Sequence, residues 1–155
     1  MFAAVIAAVT LVASLMPTPV PTPTVLQPQQ YQVFVRHLPH EREPFCAVLA
    51  SAADWRRVLA PAAVGFGNKP FAPPTAWWRT HAVLFVARSS AMSSAPVLRI
   101  NTIMRDGASL TLHYTFTPPP PASATMNTWI GLVVEKPLPK HVTFYENGHR
   151  VCGHA

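Results

Sequence analysis

Between residues 98 and 116 one side chain in two falls on a common face. Leu98, Ile100, Thr102 and Met104 come first, then Leu110, Leu112, Tyr114 and Phe116 beyond Asp106-Gly107. That period of two, broken by a turn dipeptide, predicts an antiparallel hairpin. Pro118 to Pro121 stop the second strand, because proline has no ladder donor and a fixed φ. Further strands are predicted over Trp129–Val134 and His141–Glu146. Upstream, His81–Ala87 is almost continuously apolar, the mark of a strand buried on both faces and hence central. Tyr31–Val35 and Phe45–Leu49 are shorter apolar runs of the same kind. One helix is predicted: Ser51 caps it, Asp54 sits three residues on, and Trp55, Val58 and Leu59 form the apolar stripe before Pro61. The expected fold is α+β, a mostly antiparallel, sandwich-like β-sheet with one short helix packing Trp55 onto it.

The two ends of the chain read differently. Met1–Met16 is apolar apart from Thr10 and Ser14, shorter than the ~20 residues that span a bilayer and of the length of a signal core. Val12-Ala-Ser14 offers small residues where a signal peptidase reads, although no Lys or Arg precedes the apolar run. Residues 17–30, opening with Pro17-Thr-Pro-Val-Pro-Thr-Pro-Thr24, read as an extended spacer with nothing for a core. Residues 31–152 then form a single domain. The expected protein is periplasmic or secreted and has no membrane span once the signal is removed. Past Glu146 the chain reads as a tail.

Composition narrows the function. Half of the residues are apolar, 12% are charged and eighteen are proline, which excludes an all-helical protein. The net charge of +6 is spread over single and paired basic residues with no run or stripe, so no nucleic-acid partner is expected. A diffuse positive surface suits an acidic partner or an anionic envelope polymer.

Chemistry is sparse. No Gly-x-Ser-x-Gly occurs, Gly65-Phe-Gly67 lacks the context of a phosphate loop, and nothing pairs Glu41, Glu43 or Glu146 as catalytic carboxylates. His149, Cys152 and His154 have metal-ligand spacing, and His37 and His40 lie beside Glu41 and Glu43, yet neither group has a framework. The chain is expected to be no enzyme and to hold no metal or cofactor. Cys46 and Cys152 leave two readings open: a disulfide across most of the domain, or a core residue and a free tail thiol. Trp77-Trp78 is the main binding candidate, because adjacent indoles on an extended segment point to opposite faces. One would pack inward, and the other, beside Arg79, would form a contact point.

The order of the pieces carries a resemblance. Asp54, Trp55 and Leu59 come first, then Val83–Val86, Leu98–Ile103, Leu110–Tyr114 and Val133-Val-Glu-Lys136. Over roughly residues 48–146 this resembles the C-terminal domain family of PrcB, a subunit of a secreted bacterial protease complex. Members of that family carry an Asp-Phe pair where Trp77-Trp78 stands, and paired glycines where Ser93-Ser-Ala-Pro96 stands. The resemblance implies an exported module without catalysis of its own, which binds or stabilises an extracytoplasmic protein, a protease first among them. The alternatives are a binder of anionic cell-envelope polymers and a structural protein of the envelope.

Overall fold

The computed structural model describes residues 24–36, 38, 43–62, 69–93, 95 and 97–154. The signal core, residues 17–23 of the proline-rich spacer, His37, His40, Glu41, Gly65 and Gly67 lie outside the described residues. Ten strands are described: β1 (Val25–Leu26), β2 (Val33–Val35), β3 (Phe45–Leu49), β4 (Leu59–Pro61), β5 (His81–Ala91), β6 (Leu98–Asp106), β7 (Ser109–Phe116), β8 (Thr125–Glu135), β9 (His141–Glu146) and β10 (His149–His154). One α-helix, α1, spans Ala52–Val58. The sandwich-like, mostly antiparallel α+β architecture is present.

Three layers build it. The first sheet runs β1-β8-β5-β3 and the second β10-β9-β7-β6, with β2 and β4 forming a two-stranded ribbon. All pairs are antiparallel except β7 with β9, which are parallel because β8 intervenes in the other sheet. Prolines sit at the crossings between sheets. Pro118–Pro121 separate β7 from β8, and the cis Lys136-Pro137 bond lies between β8 and β9.

Strand β5 is central, as its apolarity predicts: Ala82 to Ala87 are each 0% exposed. Val83, Phe85 and Ala87 face one core with Trp55, Trp78 and Trp129, whereas Leu84 and Val86 face a second with Leu112, Tyr114 and Phe144. The helix forms as its residues dictate. Ser51 Oγ accepts from the Asp54 N–H at 3.1 Å, and Asp54 Oδ2 accepts from the Ala50 N–H, also at 3.1 Å. These bonds satisfy donors that a helix start leaves bare. Trp55 is fully buried, and its indole N–H donates to the Phe71 carbonyl at 2.9 Å.

Three segments depart from the sequence reading. Val25–Leu26 is a strand on the edge of the first sheet, so folded chain begins before Tyr31, with Leu26 in the core. In β6 a bulge at Asn101 shifts the register between Ile100 and Thr102. An extra residue inverts the alternation, so Ile103 packs on the core and Met104 is 53% exposed.

The third departure is the tail, which is strand β10. It is joined to β9 by Asn147-Gly148, with φ of 50° and 85°, the two positive values that a type I′ turn requires. The Asn147 side chain acts as a peptide unit against the end of β7: Oδ1 accepts from the Phe116 N–H at 3.1 Å and Nδ2 donates to its carbonyl at 3.0 Å. Asn147→Ala is expected to cost about 1–2 kcal/mol in chemical denaturation. Asn147→Gly, which tolerates the positive φ, should recover part of that loss but not the part due to the two bonds.

Candidate interaction site

Strand β8 pairs with β5 along its whole length, from Thr125 opposite Ala91 to Glu135 opposite His81. On its other side, among the described residues, only Leu132 and Gly131 are paired, with Val25 and Leu26. The Val133 N–H donates to the Thr24 carbonyl at 2.9 Å, and the Ala124 carbonyl accepts from the Met92 N–H at 3.0 Å on the β5 side. Backbone groups of a strand alternate in direction. Odd-numbered residues of β8 therefore aim their groups away from β5. Both backbone groups of Thr125, Asn127 and Trp129 face this side, where no strand among the described residues pairs with them. Pro28 is one cause: it lacks an N–H, and the 3-10 turn Pro28–Gln30 ends the line of β1.

Beside this open edge lies a cleft of 330 Å³. Val97, Leu98 and Ile130, which line it, belong to the core between the two large sheets. The cleft thus adjoins that core. Gln27 and Gln29, from the segment that follows β1, and Ser90, Ser93, Met126 and Thr128 give the rest of the lining its polar character, and no ionisable side chain lines it among the described residues. Met126 and Met92 are 40% and 59% exposed. Methionine is flexible and polarisable, a residue of adaptable contact surfaces.

The other edges of the large sheets carry features that discourage strand addition. β6 has exposed Arg99 and Arg105 and the bulge, β10 has Arg150 and a bulge of its own, and β3 is tied to β10 through Cys46–Cys152. Thr125–Ile130 has no charge, no proline and no bulge.

The structure places the residues singled out in the sequence as follows. Trp77, Trp78 and Arg79 lie in a 3-10 helix over Thr75–Arg79, not on an extended segment. Trp78 is buried, and its carbonyl accepts from Lys136 Nζ at 2.7 Å. Trp77 is half-buried and stacks on His81 with ring centroids 4.7 Å apart. At the surface this leaves part of Trp77 and the exposed Arg79, without a pair of outward indoles. Cys46 and Cys152 are joined, with Cα atoms 6.2 Å apart. Cys152 therefore offers no thiolate beside His149 and His154, and no three His, Cys, Asp or Glu side chains converge on a metal position among the described residues.

No family model, no curated protein and no solved structure matches this chain.

One polar cluster escapes a reading by sequence. Arg88, on β5, reaches across to Glu146, on β9, at 2.8 Å, with side chains 14% and 9% exposed. The Arg88 guanidinium also lies 4.4 Å over the Phe116 ring. Tyr114 is fully buried nearby. Burial raises its phenol pKa well above the ordinary range; the Glu146 charge raises it further, and Arg88 opposes that only in part. The phenol stays neutral and the carboxylate is held by its cation between the sheets. The cluster is a cross-sheet tie without an open reaction site. Sequence offers no local signal for it, since its two charges stand 58 residues apart.

Proposed function

We propose that the chain is an exported, non-catalytic interaction module that receives an extended segment of another extracytoplasmic protein along Thr125–Ile130. The carrying observation is the uncharged open edge of β8 with a cleft beside it. Added strands gain affinity from main-chain hydrogen bonds, and adjacent pockets select their side chains. The Cys46–Cys152 disulfide is compatible with export, because such bonds persist in oxidising compartments. Among the described residues no helix is long and apolar enough to cross a membrane. The resemblance to the PrcB C-terminal domain family supports a protease as the partner, docked or stabilised by this chain.

Affinity capture from the native envelope tests this, with wild-type chain and two edge variants as bait. Asn127→Pro removes an N–H that no strand among the described residues uses, and Thr128→Lys sets a charge at the cleft. Both should keep the fold and recover about tenfold less of one extracytoplasmic partner. Equal recovery by all three baits would exclude the edge. A second reading, binding of anionic envelope polymers, draws on Arg36 and Arg57, which line a groove of 280 Å³ beside Val35 and Val58. Retention on such polymers that persists at high salt would count against it.

A further inference from the structure

We infer that the outer face of the second sheet, β10-β9-β7-β6, binds an acidic polysaccharide, a chain of pyranose rings bearing carboxylates. The inference does not depend on the edge of β8. The first sheet is covered on both faces by the two cores, whereas the second covers one face only, through Leu112, Tyr114 and Phe144. Its alternate side chains point the other way, and Arg99, Thr102, Met104, His141 and Arg150 there are exposed. The register aligns one row across the sheet: Thr102 opposite His113, His113 beside Tyr145, and Tyr145 opposite Arg150. At the usual strand spacing that row is about 14 Å long. The His113 and Tyr145 rings stack at its centre, with centroids 4.7 Å apart. Next to the row, the Asn101 amide donates to Thr115 Oγ1 at 2.9 Å, which sets the bulged residue's side chain on this face. Arg99 is the register partner of Thr115.

Charge and shape together select the occupant. Among the described residues neither Arg99 nor Arg150 has an ion-pair partner. The Arg150 guanidinium lies over Gly153, where a Cβ would stand 2.9 Å from one of its nitrogens. A position bare of side chain thus seats the cation on the face beside Thr143, the partner of Gly153. Asp106, the one carboxylate on this face among the described residues, pairs with Ser109 at the end of β7 remote from Thr115. A guanidinium with free donors takes a carboxylate in a two-pronged hydrogen bond. Between the two arginines stand hydroxyls, an amide and two aromatic rings, which match the hydroxyls and the C–H surfaces of sugar rings. A protein partner is disfavoured, because Met104 is the only large hydrophobic side chain exposed on this face and the centre of a protein interface is apolar. The net charge of +6 adds long-range attraction for a polyanion.

The test titrates the mature protein with oligogalacturonate, a sugar chain with one carboxylate per ring, at low and high salt. Binding should weaken as salt rises. Arg99→Ala and Arg150→Ala should each weaken it about tenfold while the urea midpoint stays unchanged. Gly153→Val keeps both charges but displaces the Arg150 guanidinium, and it too should bind less tightly. Wild-type affinity in all three variants would overturn the site. Equal affinity for polyglutamate or polyphosphate would reduce the face to a general anion surface and overturn the sugar assignment. Affinity lost in the Arg36→Ala/Arg57→Ala variant and kept in Arg150→Ala would move the polymer to the groove beside Val35 and overturn the inference. No binding of oligogalacturonate at low salt would do the same.

Discussion

Removing the Cys46–Cys152 disulfide is expected to lower the unfolding free energy by about 4–5 kcal/mol in the chain-entropy model. The bond closes a loop with a sequence separation of 106 residues, so the unfolded chain gains much freedom when it opens. It also joins β3, at the edge of the first sheet, to β10, at the edge of the second. Among the described residues no ladder hydrogen bonds link those two sheets. On that side the covalent tie does for the sandwich what strand pairing does within each sheet. Urea unfolding of the oxidised chain, the reduced chain and the Cys46→Ser/Cys152→Ser variant would measure the effect. Matching losses in the last two identify the cross-link as the cause. A loss below about 1 kcal/mol would mean that the sheets hold each other by packing alone.

Elements whose signal is local were legible in the sequence. Ser51 and Asp54 mark a helix start because the capping bonds join residues three apart, and they form as expected. Continuous apolarity marks β5 because a strand covered on both faces has no polar side to show. Other signals were local too but were overridden or unread. Asn147-Gly148 is the strongest short-range hairpin signal there is, and it turns the expected tail into β10. The bulge at Asn101 cannot be read from alternation, since the period on either side of it is still two. Trp77-Trp78 takes a 3-10 turn after Pro73-Pro74, which puts Trp78 in the core beside Trp55.

What the candidate site needs is not local at all. The strand Trp129–Val134 was readable, but whether its second edge is covered depends on where residues 24–30 lie. Pairing choices of that kind are made by the whole fold, and no window of β8 records them. The disulfide is similar. Two cysteines admit a bond or two thiols, and the choice rests on β3 and β10 meeting at one side of the sandwich.

Separating Arg88 from Glu146 is expected to cost about 3–5 kcal/mol for either single replacement, Arg88→Met or Glu146→Leu. Each removes the 2.8 Å ion pair that offsets the desolvation of two side chains only 14% and 9% exposed. The double variant should cost far less than the sum, because an apolar pair of similar volume carries no such penalty. A double-mutant cycle by chemical denaturation measures the coupling, and additivity within ~0.5 kcal/mol would show that the two charges act independently. The cycle also bears on the edge site. Thr128, which lines the cleft, is the register partner of Arg88 on β8. The ion pair therefore ties the two sheets together beside the cleft mouth. If that spacing shapes the cleft, each single variant recovers less of the captured partner, and the double variant regains stability without regaining all of the binding. Full recovery by both single variants would confine the ion pair to stability.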